Sequence, residues 1–70
     1  MRLSTRNQLP GTVTEVKIGS VMATVKVRLD GGEQIITASI TKEAVEELGL
    51  AEGTPTTVLV KSTEVMLAVD

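Results

Sequence analysis

Residues 21–40, which read VMATVKVRLDGGEQIITASI, decide the fold. The first half of this stretch alternates between an apolar and a mostly polar set, and the apolar set is Val21, Ala23, Val25, Val27 and Leu29. A period of two predicts a strand that turns one face toward a core. Asp30-Gly31 follows, and Asp-Gly favours a hairpin turn because that turn needs positive φ angles. Residues 33–40 are therefore predicted to return as the antiparallel partner strand.

A strand is also predicted before this hairpin, over residues 11–18, although its apolar residues change parity between Val13 and Val16. A bulge near Thr14 or Glu15 would bring both parities to one face. Barrels often contain such bulges because the extra residue bends a strand toward closure.

Residues 41–48, TKEAVEEL, are predicted to form the only helix. Thr41 is a typical N-cap, Glu43 suits the positive N-terminal end, and Gly49 is placed to end the helix. A short apolar stripe is wide enough to plug one end of a barrel, and it consists of Ala44, Val45 and Leu48.

Two final strands are predicted over residues 56–61 and 65–69, with a turn between them. The whole pattern predicts an all-β fold with one short helix. We expect a five-stranded OB-like barrel with the helix between strands three and four. An SH3-like barrel is the nearest alternative, and the helix before strand four favours the OB-like barrel. No linker or internal repeat divides residues 1–70, which predicts a single domain.

Composition restricts how such a small barrel is stabilised. A chain of 70 residues buries only about 60% of its unfolded surface, so its own core leaves it marginal. His and Cys are absent, which excludes disulfides and ordinary zinc or haem sites, and no aromatic residue fills the core. Self-association is the remaining means of stabilisation, so we expect a homo-oligomer.

Composition also argues against several classes of function. A net charge of −2 and the absence of aromatic side chains make a nucleic-acid-binding groove the least favoured hypothesis. No apolar stretch reaches membrane-spanning length, and the lack of Cys fits a reducing compartment, so we expect a cytoplasmic protein. A hydroxyl nucleophile needs a neighbouring base, and no motif supports a Ser–Lys pair with Lys61, so we predict no enzyme and no catalytic residues.

Two clusters of hydrogen-bond donors, one near each end of the chain, indicate an anion site. Residues 4–8 read STRNQ, and residues 61–63 read KST, with no carboxylate in either run. Hydroxyls, amides and cationic side chains all donate to oxyanions, and the charged donors Arg6 and Lys61 would contribute most. A site made only of donors favours a fully deprotonated dianion such as sulfate or molybdate, because a protonated anion needs an acceptor.

Each of these residues also has an ordinary structural interpretation. Arg6 alone would be expected to pair with a surface carboxylate. Ser4 and Asn7 are typical turn residues that bond to their own backbone, and Ser62-Thr63 could be only the turn between two strands. Residue types alone leave both interpretations open.

Several short motifs, in order along the chain, resemble a known family: STRNQL, GSVMATV, ASIT, EELGL and KSTEVML. Together they resemble the molbindin (Mop) family, small cytoplasmic molybdate-binding proteins with a TOBE-related domain. The resemblance implies an OB-like fold assembled as a homohexamer, a trimer of dimers. It also implies molybdate or tungstate as the ligand, held at subunit interfaces in two kinds of site, with no other metal and no cofactor.

The resemblance also implies an anion-binding set drawn from three segments and one further serine, namely Ser4, Thr5, Arg6, Asn7, Gly19, Ser20, Val21, Ser39, Lys61, Ser62 and Thr63. In residues 19–21 the backbone amides are the donors. Thr5 stands where relatives often have Ala or Gly, so only its backbone amide is expected to matter. The function predicted from this resemblance is storage and homeostasis of molybdate over the single domain 1–70. The alternative is an oligomeric assembly or regulatory module without physiological anion storage.

Overall fold

The computed structural model describes residues 1–70 as four antiparallel strands and one helix. In chain order the elements are β1 (Asn7–Ile18), β2 (Met22–Leu29), β3 (Ile35–Thr41), α1 (Lys42–Leu48) and β4 (Pro55–Val60). The strands lie in the order β3-β2-β1-β4, so β3 and β4 are the two free edges of the sheet. As predicted, the helix lies between the third and fourth strands.

The central hairpin and the bulge in β1 are confirmed. β1 pairs with β2, and the register shifts between Val13 and Glu15, which leaves Thr14 as the extra residue. Beyond the bulge, Val16 packs against the core, whereas Ile18 stays half exposed at the strand end. The extra residue thus brings Val16 to the same core-facing side of β1 as Val13.

β1 begins four residues earlier than the predicted strand, because its polar first residues are paired with β4. The ladder between β1 and β4 runs from Asn7↔Val60 to Thr12↔Pro55. Pro10 has no N–H, but its carbonyl accepts a 3.0 Å hydrogen bond from the Asp30 N–H. This pairing gives a polar segment a strand conformation that its own side chains do not favour.

α1 begins and ends where the sequence predicts. The Thr41 hydroxyl accepts a 3.0 Å hydrogen bond from the Ala44 N–H, and Gly49 adopts the left-handed conformation with φ of 64°. Only Val45 of the predicted apolar stripe is fully buried, while Leu48 is 68% exposed. At seven residues, α1 is too short to cross a bilayer.

The buried core is small in both number and size of side chains. It contains five residues, all Val or Ala: Val13, Ala23, Val25, Val27 and Val45. The partly buried side chains that pack around it are also aliphatic. A core of this size supports the expectation that a single copy is only marginally stable.

The predicted fifth strand over residues 65–69 is wrong for the single chain. After β4 the chain makes a 3-10 turn over Ser62–Glu64, and every residue from 61 to 70 is exposed. The segment has the alternation of a strand, but no strand of its own chain pairs with it, and a strand is stable only when its backbone is paired. The result is a four-stranded half-barrel of OB-like form, open between β3 and β4.

Candidate anion-binding sites

The pairing of β1 with β4 brings the two donor clusters to one end of the sheet. Asn7, the first residue of β1, is paired with Val60, the last residue of β4. Residues 4–7 therefore enter the sheet beside the point where residues 61–63 leave it. We call these two segments together the terminal donor cluster.

Two side chains of the cluster fix this junction. The Thr5 hydroxyl donates to the Val60 carbonyl at 3.2 Å, and the Asn7 amide nitrogen donates to the same oxygen at 3.1 Å. A hydroxyl has one proton, so in this conformation Thr5 has none left for an anion, whereas Asn7 keeps a second N–H. Thr5 thus positions the segment through its side chain, and only its backbone amide remains a possible donor to a ligand.

The other side chains of the cluster have no partner within the chain. They are exposed and make neither a hydrogen bond nor an ion pair: Ser4, Arg6, Lys61, Ser62 and Thr63. The only ion pair within the chain joins Lys26 to Glu15 at 3.8 Å, so Arg6 has no carboxylate partner in its own chain. Three hydroxyls and two cations are therefore free to donate to a bound group, and the two cations attract an anion.

A second group of predicted residues surrounds the turn between β1 and β2. The Gly19 N–H donates to the Met22 carbonyl at 2.8 Å, and the Val21 carbonyl accepts from the Lys42 N–H at 2.8 Å. The amides of Ser20 and Val21 have no acceptor in the chain. The turn and the start of α1 enclose an open pocket of about 440 Å³, which we call the turn pocket, lined by Ser20, Val21, Thr41, Lys42, Glu43 and Glu46.

The turn pocket includes residues that sequence reasoning assigned only to the helix. Thr41 accepts a hydrogen bond as the N-cap but keeps its own hydroxyl proton, and Lys42 adds a positive charge. Glu43 and Glu46 add two negative charges, which oppose an anion. Thr41 and Lys42 line the pocket because the turn packs against the start of α1. Residue types alone do not reveal this tertiary contact. Of the two regions, the terminal donor cluster has the more favourable charge for an anion.

Ser39, the remaining predicted residue, lies apart from both regions, and the two regions are far from each other. Ser39 lies on the edge strand β3, opposite Thr24, and lines neither the cluster nor the turn pocket. The cluster adjoins the first residue of β1, and the turn follows the last. Because strands rise about 3.3 Å per residue, the 12 residues of β1 separate the two regions by on the order of 35 Å along the strand. One small anion cannot contact both regions of the same chain.

Comparison with known proteins defines the class. Residues 3–67 match the family model described as "TOBE domain", and the chain belongs to this family. Within it, the chain is 48% identical over 67 residues to molybdenum-pterin-binding protein 2 of Clostridium pasteurianum, covering 96% of this chain and 97% of that protein. The resemblance to the Mop proteins is thereby confirmed.

Solved structures agree with this assignment. The cytoplasmic molybdate-binding protein ModG, solved with molybdate bound, superposes with a TM-score of 0.92 at 46% identity, covering all of this chain and 49% of ModG. A molybdate-binding protein from Sporomusa ovata gives a TM-score of 0.90 at 36% identity, covering 99% of this chain and all of that protein. The half-barrel therefore belongs to the OB-like fold of these binding proteins.

Proposed function

We propose that the protein binds molybdate, or tungstate, non-covalently and stores it in the cytoplasm. The observation that carries this proposal is the terminal donor cluster, in which five unpartnered donor side chains from both ends of the chain meet at one end of β1 and β4. We treat residues 1–70 as one such binding domain, without catalytic activity.

The chemistry of the cluster suits a tetrahedral dianion. All four oxygens of molybdate accept hydrogen bonds, and Arg6 and Lys61 supply charge-assisted donors, the stronger kind. Neither segment of the cluster contains a carboxylate. Phosphate, which keeps a proton for part of the time near neutral pH, would leave that proton without an acceptor there. The donor set therefore favours fully deprotonated oxyanions, and molybdate and tungstate are nearly the same in size and charge.

The free oxyanion fits better than a molybdenum-pterin, although relatives are named for the pterin. A pterin ring is flat and aromatic, and such rings are held by stacking or by apolar walls. This chain has no aromatic residue, and the side chains of the cluster are hydroxyls, one amide and two cations. We therefore assign the oxyanion itself as the ligand.

We also propose that the complete site includes a second copy of the chain. Every unpartnered donor in the cluster is exposed, so one copy covers an anion on one side only. A homohexamer built as a trimer of dimers, as the Mop resemblance implies, would let a neighbouring copy supply the other side. Anion binding would then stabilise the assembly, because a ligand that prefers the oligomer shifts the equilibrium toward it.

Calorimetric titration tests the proposed function. We expect saturable binding of molybdate and tungstate at micromolar or lower concentration. Phosphate should bind much more weakly because of its proton, and sulfate more weakly because it is a smaller dianion. Arg6→Ala should weaken molybdate binding by about 1.5–3 kcal/mol, the contribution of a charged hydrogen bond, which is roughly 10- to 150-fold in the dissociation constant. Arg28→Ala is the matched control, because Arg28 is also exposed and unpaired but lies on β2. Equal, weak responses to all four anions would contradict the proposal.

The alternative is an assembly or regulatory module without anion storage. It is favoured by the amount of apolar surface that the single chain exposes, including Val21, Met22 and Leu59. This alternative predicts an oligomer whose thermal stability does not change with micromolar molybdate. The titration and a melting curve with and without molybdate therefore distinguish the two.

A further inference from the structure

A third side-chain hydrogen bond holds the terminal donor cluster, and its donor, Gln8, lies just outside the cluster. The Gln8 amide nitrogen donates to the Thr5 carbonyl at 2.9 Å. No backbone N–H donates to this carbonyl, so Gln8 is its only partner within the chain. Gln8 itself belongs to β1 and is paired with Leu59 of β4. The bond therefore ties the segment 4–7 to a residue whose own position is fixed by the sheet.

This bond sets the direction of the peptide group that joins Thr5 to Arg6. The chain has no cis peptide bond, so the Thr5 carbonyl and the Arg6 N–H point in opposite directions. A carbonyl held by Gln8 turns the Arg6 N–H away from Gln8, and this N–H has no acceptor in the chain. The exposed Arg6 side chain leaves the backbone directly after the same peptide group. One bond from Gln8 thus orients both the backbone donor and the side-chain donor of Arg6.

The other two bonds of the segment do not provide this constraint. The Thr5 hydroxyl and the Asn7 amide hold the residues on either side of Arg6 to the Val60 carbonyl. Neither bond involves the carbonyl or the N–H of the peptide group between Thr5 and Arg6. That peptide group could rotate about its flanking bonds and redirect the Arg6 N–H while both contacts to Val60 remained. Within the chain, only Gln8 opposes this rotation.

We propose that Gln8 is a positioning residue of the anion site, which acts on molybdate through Arg6 and does not touch the anion. This inference rests on the proposed function and adds to the site a residue whose side chain serves the backbone. Donors that are fixed before binding lose less conformational freedom when the ligand arrives, which strengthens binding. In the sequence Gln8 is only one more donor in the run STRNQ, whereas the structure directs its amide at the chain itself.

Gln8→Met is the first test, because Met has a similar length and no hydrogen-bond donor. We expect the dissociation constant for molybdate, measured by calorimetry, to rise roughly 3- to 10-fold, the effect of one neutral hydrogen bond. Gln34→Met is the matched control, since Gln34 is also exposed and its side chain makes no hydrogen bond. It should bind molybdate like the unaltered protein.

The result for the unaltered protein separates this inference from the proposed function. If the unaltered protein binds molybdate and Gln8→Met binds it equally well, Gln8 has no positioning role and the function stands. If the unaltered protein shows no saturable binding, the proposed function itself fails. Melting curves by circular dichroism establish that each variant is folded before it is titrated.

Gln8→Glu provides a second variant of nearly the same shape. An ionised carboxylate accepts hydrogen bonds but donates none, so it cannot hold the Thr5 carbonyl. It also places a negative charge beside the segment that contains Arg6. Gln8→Glu should therefore weaken molybdate binding at least as much as Gln8→Met. Affinity equal to that of the unaltered protein would contradict the proposal.

Combination with Arg6→Ala distinguishes positioning from direct contact. If Gln8 acts through Arg6, Gln8→Met should weaken binding by a smaller factor in the Arg6→Ala background, because the guanidinium that Gln8 orients is absent. A Gln8 amide that contacted the anion itself would contribute the same factor in both backgrounds. Equal factors would therefore overturn the positioning role.

Discussion

Gly11 is the position where the fold tolerates a side chain least. It lies in β1 opposite Leu29, and a Cβ atom added there would lie 2.6 Å from the Arg28 carbonyl oxygen and 2.7 Å from a Val27 methyl carbon. The Val27 side chain could rotate, but the Arg28 carbonyl is backbone held in the ladder between β1 and β2. Gly11→Ala therefore requires the two central strands to move apart.

The expected cost follows from this geometry. Overpacking of a well-packed site costs about 1–3 kcal/mol, and a clash with backbone belongs at the upper end, about 3 kcal/mol. With a urea m-value of about 1.5 kcal/mol/M for a chain this small, the unfolding midpoint should fall by about 2 M. Gly32→Ala is the matched control, because no atom lies within 4 Å of its added Cβ and its φ is not positive. That change should alter stability by no more than about 0.5 kcal/mol.

Far-UV circular dichroism is the appropriate assay, because the chain contains no Trp or Tyr for fluorescence. Both variants must be compared at one protein concentration, since the stability of an oligomer depends on concentration. Coincident midpoints for Gly11→Ala and Gly32→Ala would refute the reasoning. That result would mean that the β1–β2 ladder relaxes around the added methyl group.

Three further substitutions test the core, the helix cap and the surface ion pair by the same urea assay. Val13→Ala should cost about 2 kcal/mol, because Val13 is 1% exposed and loses two buried carbons plus the cavity they leave. A loss below about 0.5 kcal/mol, which is typical of an exposed site, would contradict its place in the core. Thr41→Ala should cost about 1 kcal/mol through loss of the cap bond, and Thr41→Ser should restore most of it; equal effects would contradict the capping role. Lys26→Ala should cost at most about 0.5 kcal/mol, because its 3.8 Å pair with Glu15 is exposed, and a loss above 1 kcal/mol would contradict that assessment.

The elements that sequence predicts correctly are those specified by neighbouring residues. The alternation before Asp30-Gly31, the cap at Thr41 and the glycine after α1 each act within a few positions, so local rules suffice. Such local rules could not predict where β1 begins. Its first four residues include two polar amides and Pro10, and they become a strand only because β4, about fifty residues later, pairs with them.

The same distinction between local and tertiary determinants applies to the residues of the candidate site. Residue types alone predicted Arg6 and Lys61 as charged donors but left open whether Arg6 pairs with a surface carboxylate; in the structure neither side chain has a partner within the chain. The positioning role of Thr5 depends on the register that places Val60 beside it, and the lining role of Lys42 depends on how the turn meets α1. Both are tertiary contacts, and neither has a signature in the sequence. Residues 65–69 show the same limit, because their alternating pattern predicts a strand but supplies no partner strand within the chain.

If a second copy completes the terminal donor cluster, as proposed above, association of copies and molybdate binding must be coupled in both directions. A ligand at 100 times its dissociation constant stabilises the form that binds it by about 2.7 kcal/mol, so saturating molybdate should tighten the association by roughly 100-fold for each anion bound between copies. By reciprocity, molybdate binding should weaken when dilution dissociates the oligomer. Calorimetric titration over a series of protein concentrations measures this directly. Undiminished binding by the dissociated chain would mean that one copy holds the anion alone, and the coupling would be refuted while the molybdate function stood.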